Sequence, residues 1–281
     1  MMGLMWALRR CGCDGPLFMC RFLAYQGDPI PLVDLVCAPT NSLVQQSRYA
    51  QEGKTRTNGD GFGLGWYGTR AEPERHRMAG PAWADENLTA ISKQVSSHLF
   101  FAHVRAATGT ETTQANCHPF AYGRWLFMHN GQIGAYGKIR PLVETMISKN
   151  VRYARAGTTD SEAIFLAAFG NGIACDPVQA MTSTLYAIRA LMIDAGITEP
   201  LRFSAVLTDG VRLYAFRWAS DGKPPRLYYR QTAGRIVLAS EPLDHLRAAW
   251  RELPNASALL SSPGRSLAMR HLADLPSQLA A

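Results

Sequence analysis

Eight short runs, each five to eight residues long and rich in β-branched and aromatic side chains, constrain this chain most. The first group is Arg21–Tyr25, Phe62–Tyr67, Leu99–Arg105 and Trp125–His129; the second is Phe203–Thr208, Val211–Trp218, Arg226–Arg230 and Arg235–Ala239. Such runs predict strands. Apolar residues at three- and four-residue spacing predict helices at roughly Leu88–Ser97, Lys138–Ser148, Ser161–Phe169 and Pro177–Ala195. Strand and helix do not alternate strictly, so the order suits a layered α+β domain better than a parallel βαβ fold. Asp209-Gly210 between two strand runs is a two-residue hairpin signal, which makes at least part of the sheet antiparallel. Beyond Pro254 the sequence turns rich in Ser, Ala and Pro and reads as a C-terminal tail, 254–281, with one short helix.

With 281 residues, 47% of them hydrophobic and 18% charged, the chain can bury a large core without disulfides or metal. No run approaches the roughly 18 to 20 apolar residues of a membrane span, so no membrane partner is expected. Arg9 and Arg10 follow the short apolar run at the start instead of preceding it, so no export signal is read there. Six cysteines (Cys11, Cys13, Cys20, Cys37, Cys117 and Cys175) are scattered along the chain, which fits a reducing cytoplasm better than a disulfide framework. The formal charge of +7 comes from 24 Arg against 5 Lys, spread without a basic block. Nucleic acid is therefore not an expected partner, while a mildly basic surface suits anionic small molecules. His103, His118 and His129 are separated by strands and loops, and Cys11-x-Cys13 lacks paired C-x-x-C spacing, so neither metal nor other cofactor is expected.

Four stretches could carry chemistry. In "GPLFMCRFLAY" Met19 precedes Cys20 directly. A cysteine beside Phe22 and Leu23 is ordinarily a small buried hydrophobe. Were Met19 the start and then removed, however, Cys20 would carry a thiol and an α-amine whose pKa of roughly 7.7 to 8.0 suits a general base. Residues 1–19 are accordingly read as an extension, either a mis-assigned start or a propeptide, ahead of a domain over 20–253. In "FAHVRAATGT", Arg105 ends an apolar strand, where it is either a structural ion-pair partner or a two-pronged carboxylate grip. Thr108 is either a turn former or a further donor. In "WLFMHNGQI", Asn130-Gly131 reads either as a tight turn or as an oxyanion hole at a strand end, since the flank beyond looks helical. In "GTTDSEAIF", Thr159 and Glu162 form a capping box, and Asp160 either complements the helix dipole or faces a cleft that binds an ammonium group.

Together, in this order, these stretches resemble the class II glutamine amidotransferases, which are N-terminal nucleophile hydrolases. "MCRFLAY" is similar to the family's start, with Cys20 as catalytic cysteine; "AHVRAAT" to the segment whose arginine, here Arg105, holds the glutamine carboxylate. "HNG" resembles the oxyanion pair, here Asn130 and Gly131, and "TTDSE" the segment whose aspartate, here Asp160, binds the substrate amino group. "NGDGFGLGWYG", "NCHPF" and "ASEPL" resemble the stand-alone branch, which includes a fungal glutathione-degrading subunit and a γ-glutamyl hydrolase of ergothioneine synthesis. Ala106 stands where relatives fused to sugar-phosphate synthases have Trp. The resemblance implies a four-layer αββα sandwich with largely antiparallel sheets. It also implies cleavage of glutamine or another γ-glutamyl amide through a Cys20 thioester. Only about forty residues follow the resembling region, so hydrolysis is favoured over passing ammonia to a separate synthase or peptidase subunit. A non-catalytic binder of γ-glutamyl ligands is the remaining alternative.

Overall fold

The computed structural model describes residues 20–52, 57–107 and 110–272. Two antiparallel sheets form its centre. The larger contains, in spatial order, β11 (Arg251–Glu252), β9 (Tyr228–Thr232), β10 (Arg235–Ala239), β1 (Arg21–Pro31), β4 (Ser96–Val104), β2 (Phe62–Trp66) and β3 (Glu74–Met78). The smaller runs β13 (Ala268–His271), β12 (Ser257–Ser261), β8 (Leu213–Ala219), β7 (Leu201–Thr208), β6 (Trp125–Ile133) and β5 (Phe120–Tyr122).

Alternation along the strands sorts their side chains into three apolar layers. Phe22 and Ala24 of β1 pack with Leu99 and Phe101 of β4 against Leu126 and Met128 of β6, filling the space between the sheets. Leu23, Tyr25, Phe100 and Ala102 point the other way, to a layer shared with α1 (Val33–Val36), α2 (Leu43–Arg48) and α3 (Glu86–Gln94). Phe127, Phe203 and Ala205 face α4 (Tyr136–Thr145), α5 (Lys149–Arg152), α6 (Asp160–Ala167) and α7 (Pro177–Asp194). The result is a four-layer αββα sandwich. Its strands read as continuous apolar runs because both faces of each sheet are covered.

Two local features differ from the sequence reading. The β7–β8 hairpin carries a four-residue connection, Asp209–Arg212, in which Asp209 Oδ1 accepts from the Val211 and Arg212 N–H groups and Gly210 adopts φ +86°. The described part of the stretch beyond Pro254, through Leu272, forms strands β12 and β13 where a tail with a short helix was expected. Ser257–Ser261 pairs with β8 and then with β13, and its small side chains are mostly buried, with the Ser261 hydroxyl bonded to Gln26 across the two sheets. The expected extension over residues 1–19 lies outside the described residues.

Candidate active site

Register brings the first candidates together. Arg21 pairs with Val104 and Phe22 with His103, so one further antiparallel step sets Cys20 opposite Arg105. By alternation both side chains point, like Phe22 and Phe101, into the space between the sheets. Cys20 is half-buried, with its thiol donating to the Ala106 carbonyl at 3.6 Å. Burial pushes the thiol pKa up, with the Arg105 and Arg21 guanidinium groups pulling it back and the Asp160 carboxylate adding to the rise. A resting thiol is therefore protonated near neutrality and needs a base.

Arg105 is buried, and its guanidinium donates to the Thr110 hydroxyl and, at 3.5 Å, to the Asp60 carbonyl. Asp60 also accepts from the Ala107 N–H at 2.7 Å, so the Asn58–Asp60 segment braces the chain just past β4. Thr108 lies outside the described residues.

The smaller sheet supplies the facing wall. The sequence reading ended this strand at His129, but β6 continues through Asn130-Gly131 to Ile133, with Asn130 opposite Ser204 and Gly131 opposite Phe203. Gly131 adopts φ +146°, and a Cβ there would sit 2.0 Å from the Arg202 carbonyl oxygen, so only glycine fits. Asn130 is buried and, alternating with Met128, faces the layer into which Cys20 points. Asp160 opens α6 behind Thr159, whose hydroxyl accepts from the Glu162 N–H at 3.2 Å, the forward half of the predicted capping box. The Glu162 carboxylate turns instead to Arg155 and the Ala156 and Gly157 N–H groups. Asp160 Oδ2 accepts from the Ile133 N–H at 2.8 Å, tying the end of β6 to the start of α6.

Cys20, Arg105, Gly131 and Asp160 line one cavity of about 730 Å³, together with Tyr136, Lys138 and His118. Asn130, next to Gly131 on β6, is not among the residues that line this cavity. His118 is buried with both ring nitrogens unpartnered and stacks on His103 at 4.1 Å between centroids. Burial holds both imidazoles neutral, lowering His103 to about 3 and His118 well below its ordinary value. Asp60, Thr110 and His118 escaped the sequence reading as site residues. Thr110 closes the quoted stretch "FAHVRAATGT", and Asp60 and His118 fall in "NGDG" and "NCHPF", but none of the three carries a local pattern that marks it as a site residue.

Among the described residues no three His, Cys, Asp or Glu side chains are grouped to hold a metal ion, and no helix is long and apolar enough to cross a membrane. The family model of class II glutamine amidotransferases matches residues 32–232. The chain is 30% identical to a probable glutamine amidotransferase, DUG3, of Saccharomyces cerevisiae, over 86% of this chain and 81% of that protein. It is 29% identical to the γ-glutamyl-hercynylcysteine sulfoxide hydrolase of Mycolicibacterium smegmatis, over 84% and 93%. Among solved structures, a glutamine aminotransferase class-II domain protein from Silicibacter pomeroyi superposes with a TM-score of 0.72 at 35% identity, covering 90% of this chain and 99% of that one. The glutamine phosphoribosylpyrophosphate amidotransferase of Bacillus subtilis shares the fold, with a TM-score of 0.59 at 14% identity, over 90% of this chain and 49% of that one. Both the match across most of the chain and the likeness to these relatives show that the protein belongs to the class II glutamine amidotransferases, a family of enzymes.

Proposed function

We propose that this protein hydrolyses γ-glutamyl amides, with Cys20 as an N-terminal nucleophile. The observation that carries this is the convergence of Cys20, Arg105, Gly131 and Asp160 on one cavity. In the reaction, the free α-amine of Cys20 takes the thiol proton and the thiolate attacks the amide carbon. Asn130 and the Gly131 N–H hold the oxyanion. Collapse breaks the C–N bond, and the α-ammonium protonates the departing ammonia or amine. Water, deprotonated by the same amine, then attacks the γ-glutamyl thioester, giving glutamate and returning the proton to the thiol. Arg105 grips the substrate α-carboxylate, Thr108 adds a donor there, and Asp160 takes the α-ammonium.

While Cys20 is joined to Met19, its nitrogen is an amide with a delocalised lone pair and cannot act as the base. The active form therefore begins at Cys20. A cavity of about 730 Å³ has room for glutamine and for larger γ-glutamyl compounds. The likeness to a hydrolase of γ-glutamyl-hercynylcysteine sulfoxide, at 29% identity over most of both chains, supports one of the larger compounds.

The test is to produce the chain with Cys20 first, verify this by intact mass, and measure glutamate release from glutamine, glutathione and other γ-glutamyl amides beside Cys20→Ala. Release that depends on Cys20 is the expected result. No glutamate from any of them, with no γ-glutamyl adduct on Cys20, would overturn the reading in favour of a binding protein.

A further inference from the structure

The "ASEPL" segment, Ala239–Leu243, contains a carboxylate that the mechanism above does not use. Glu241 is fully buried, and so is the arginine it meets, Arg21, with Arg21 Nε donating to Glu241 Oε2 at 3.1 Å. Arg21 Nη1 in turn donates to the Cys20 carbonyl at 3.0 Å. The remaining lone pairs of Glu241 are taken up as well: Asn41 Nδ2 and the Gln51 N–H donate to Oε1 at 3.0 and 3.2 Å, and the Glu52 N–H donates to Oε2 at 3.0 Å. One residue earlier, Ser240 Oγ accepts from the Phe22 N–H at 2.9 Å.

Burying two charges is costly unless geometry and hydrogen bonds compensate, and an apolar pair in the same volume is often at least as stable. A fully enclosed pair beside a nucleophile is thus poorly explained by stability alone. Its place is telling. Arg21 alternates with Phe22 on β1, so it leaves the strand on the face opposite the cavity and touches no substrate. What it does touch is the carbonyl of the residue that supplies both nucleophile and base.

We propose that Arg21 and Glu241 are positioning residues: Glu241 fixes the Arg21 guanidinium, and Arg21 fixes the Cys20 carbonyl and with it the direction in which the Cys20 amine and thiol face the cavity. Through the Gln51 and Glu52 N–H groups the same carboxylate also anchors the chain that follows α2. The inference rests on the hydrolase reading above. Charged groups that act on the Cys20 thiol are Arg21 on β1, from the opposite face of the strand, Arg105 past β4 and Asp160 on α6. In Glu241→Gln the Arg21 charge loses its counter-charge, which favours the thiolate.

The test compares wild type, the apolar double variant Arg21→Met/Glu241→Leu, Arg21→Lys and Glu241→Gln, all beginning at Cys20. Arg21→Lys keeps the charge but not the fork that spans carboxylate and carbonyl. A misplacement of about 1 Å can cost on the order of 10²-fold in rate. The expected result is a folded double variant with KM within a few-fold of wild type and kcat lower by about 10²-fold, with Arg21→Lys lowered in the same sense. In Glu241→Gln the pH profile of Cys20 alkylation by iodoacetamide shifts to lower pH. That alkylation reads the thiol without substrate, so it separates failure of this proposal from failure of the hydrolase reading. Wild-type kcat in the double variant, or in Arg21→Lys should the double variant not fold, overturns the proposal. So does an unmoved alkylation profile in Glu241→Gln.

Discussion

The two walls of the cavity are built by different means. On the larger sheet, side chains support both Cys20 and Arg105, an arginine–glutamate pair at Cys20 and the Thr110 hydroxyl at Arg105, whose main chain is also bonded to Asp60 and Gly61. On the facing wall, Gly131 of the smaller sheet is held by main chain, through a backbone angle open only to glycine, while Asp160 of α6 is held through its carboxylate, which accepts from the Ile133 and Ser161 N–H groups. Side-chain supports can be exchanged for others of similar reach, whereas a backbone support fails once a Cβ is added. Substitutions on the first wall are therefore expected to change rate or affinity, and those at Gly131 to change folding as well.

The largest effect is expected from Cys20→Ala, which removes the nucleophile and lowers glutamate release by several orders of magnitude, with the melting temperature almost unchanged. Gly131→Ala should lose both activity and stability, since its Cβ would overlap the Arg202 carbonyl. Thermal unfolding beside turnover checks this, and a stable, active Gly131→Ala would break the comparison. Asn130→Ala should lower kcat by about 10² to 10³-fold, as loss of one oxyanion donor does, with a cooperative fold retained; wild-type turnover there would remove Asn130 from the mechanism. Arg105→Lys keeps the charge and loses the two-pronged grip. Since hydrogen bonds to charged groups contribute about 1.5 to 3 kcal/mol, KM for a γ-glutamyl amide should rise roughly ten- to a hundredfold with a smaller change in kcat.

The last effect concerns pH and is read in stability instead of turnover. The His103 and His118 pKa values are depressed by burial, so between about 6.5 and about 3 the unfolded chain binds protons that the folded one does not. Stability is then fully present above pH 6.5 and falls as pH drops through that window. Urea unfolding from pH 7.5 to 4.5 should show the decline, and His118→Gln should reduce it.

Much of this architecture was legible because both faces of the central strands are apolar: the run at β10 has its observed bounds, those at β4 and β6 come within four residues of theirs, and that at β1 stops six residues short, at Tyr25. Candidate residues with distinctive neighbours at the end of a strand, such as Cys20 and Arg105, or at the start of a helix, such as Asp160, could be singled out. Others left no periodic trace. β3, Glu74–Met78, is an edge strand of polar residues, exposed or half-buried, with no apolar face to betray it. β12 hides in Ser-Ala-Leu-Leu-Ser, where small buried side chains resemble linker composition. The Arg21–Glu241 pair joins positions 220 residues apart, a separation that no local pattern records.

That separation has a consequence for synthesis. β1 takes its central place only when β10 and the Ser240-Glu241 step beyond it exist, because they supply its partner strand and the groups that hold Arg21 and Phe22. At about 5 to 20 residues per second, the ribosome needs roughly 10 to 40 s to add the intervening chain. Throughout that interval the head of β1 lacks the neighbour that will enclose it. The Glu241 carboxylate that fixes Arg21, and through it the contact to the Cys20 carbonyl, is therefore among the last supports of the site to be synthesised.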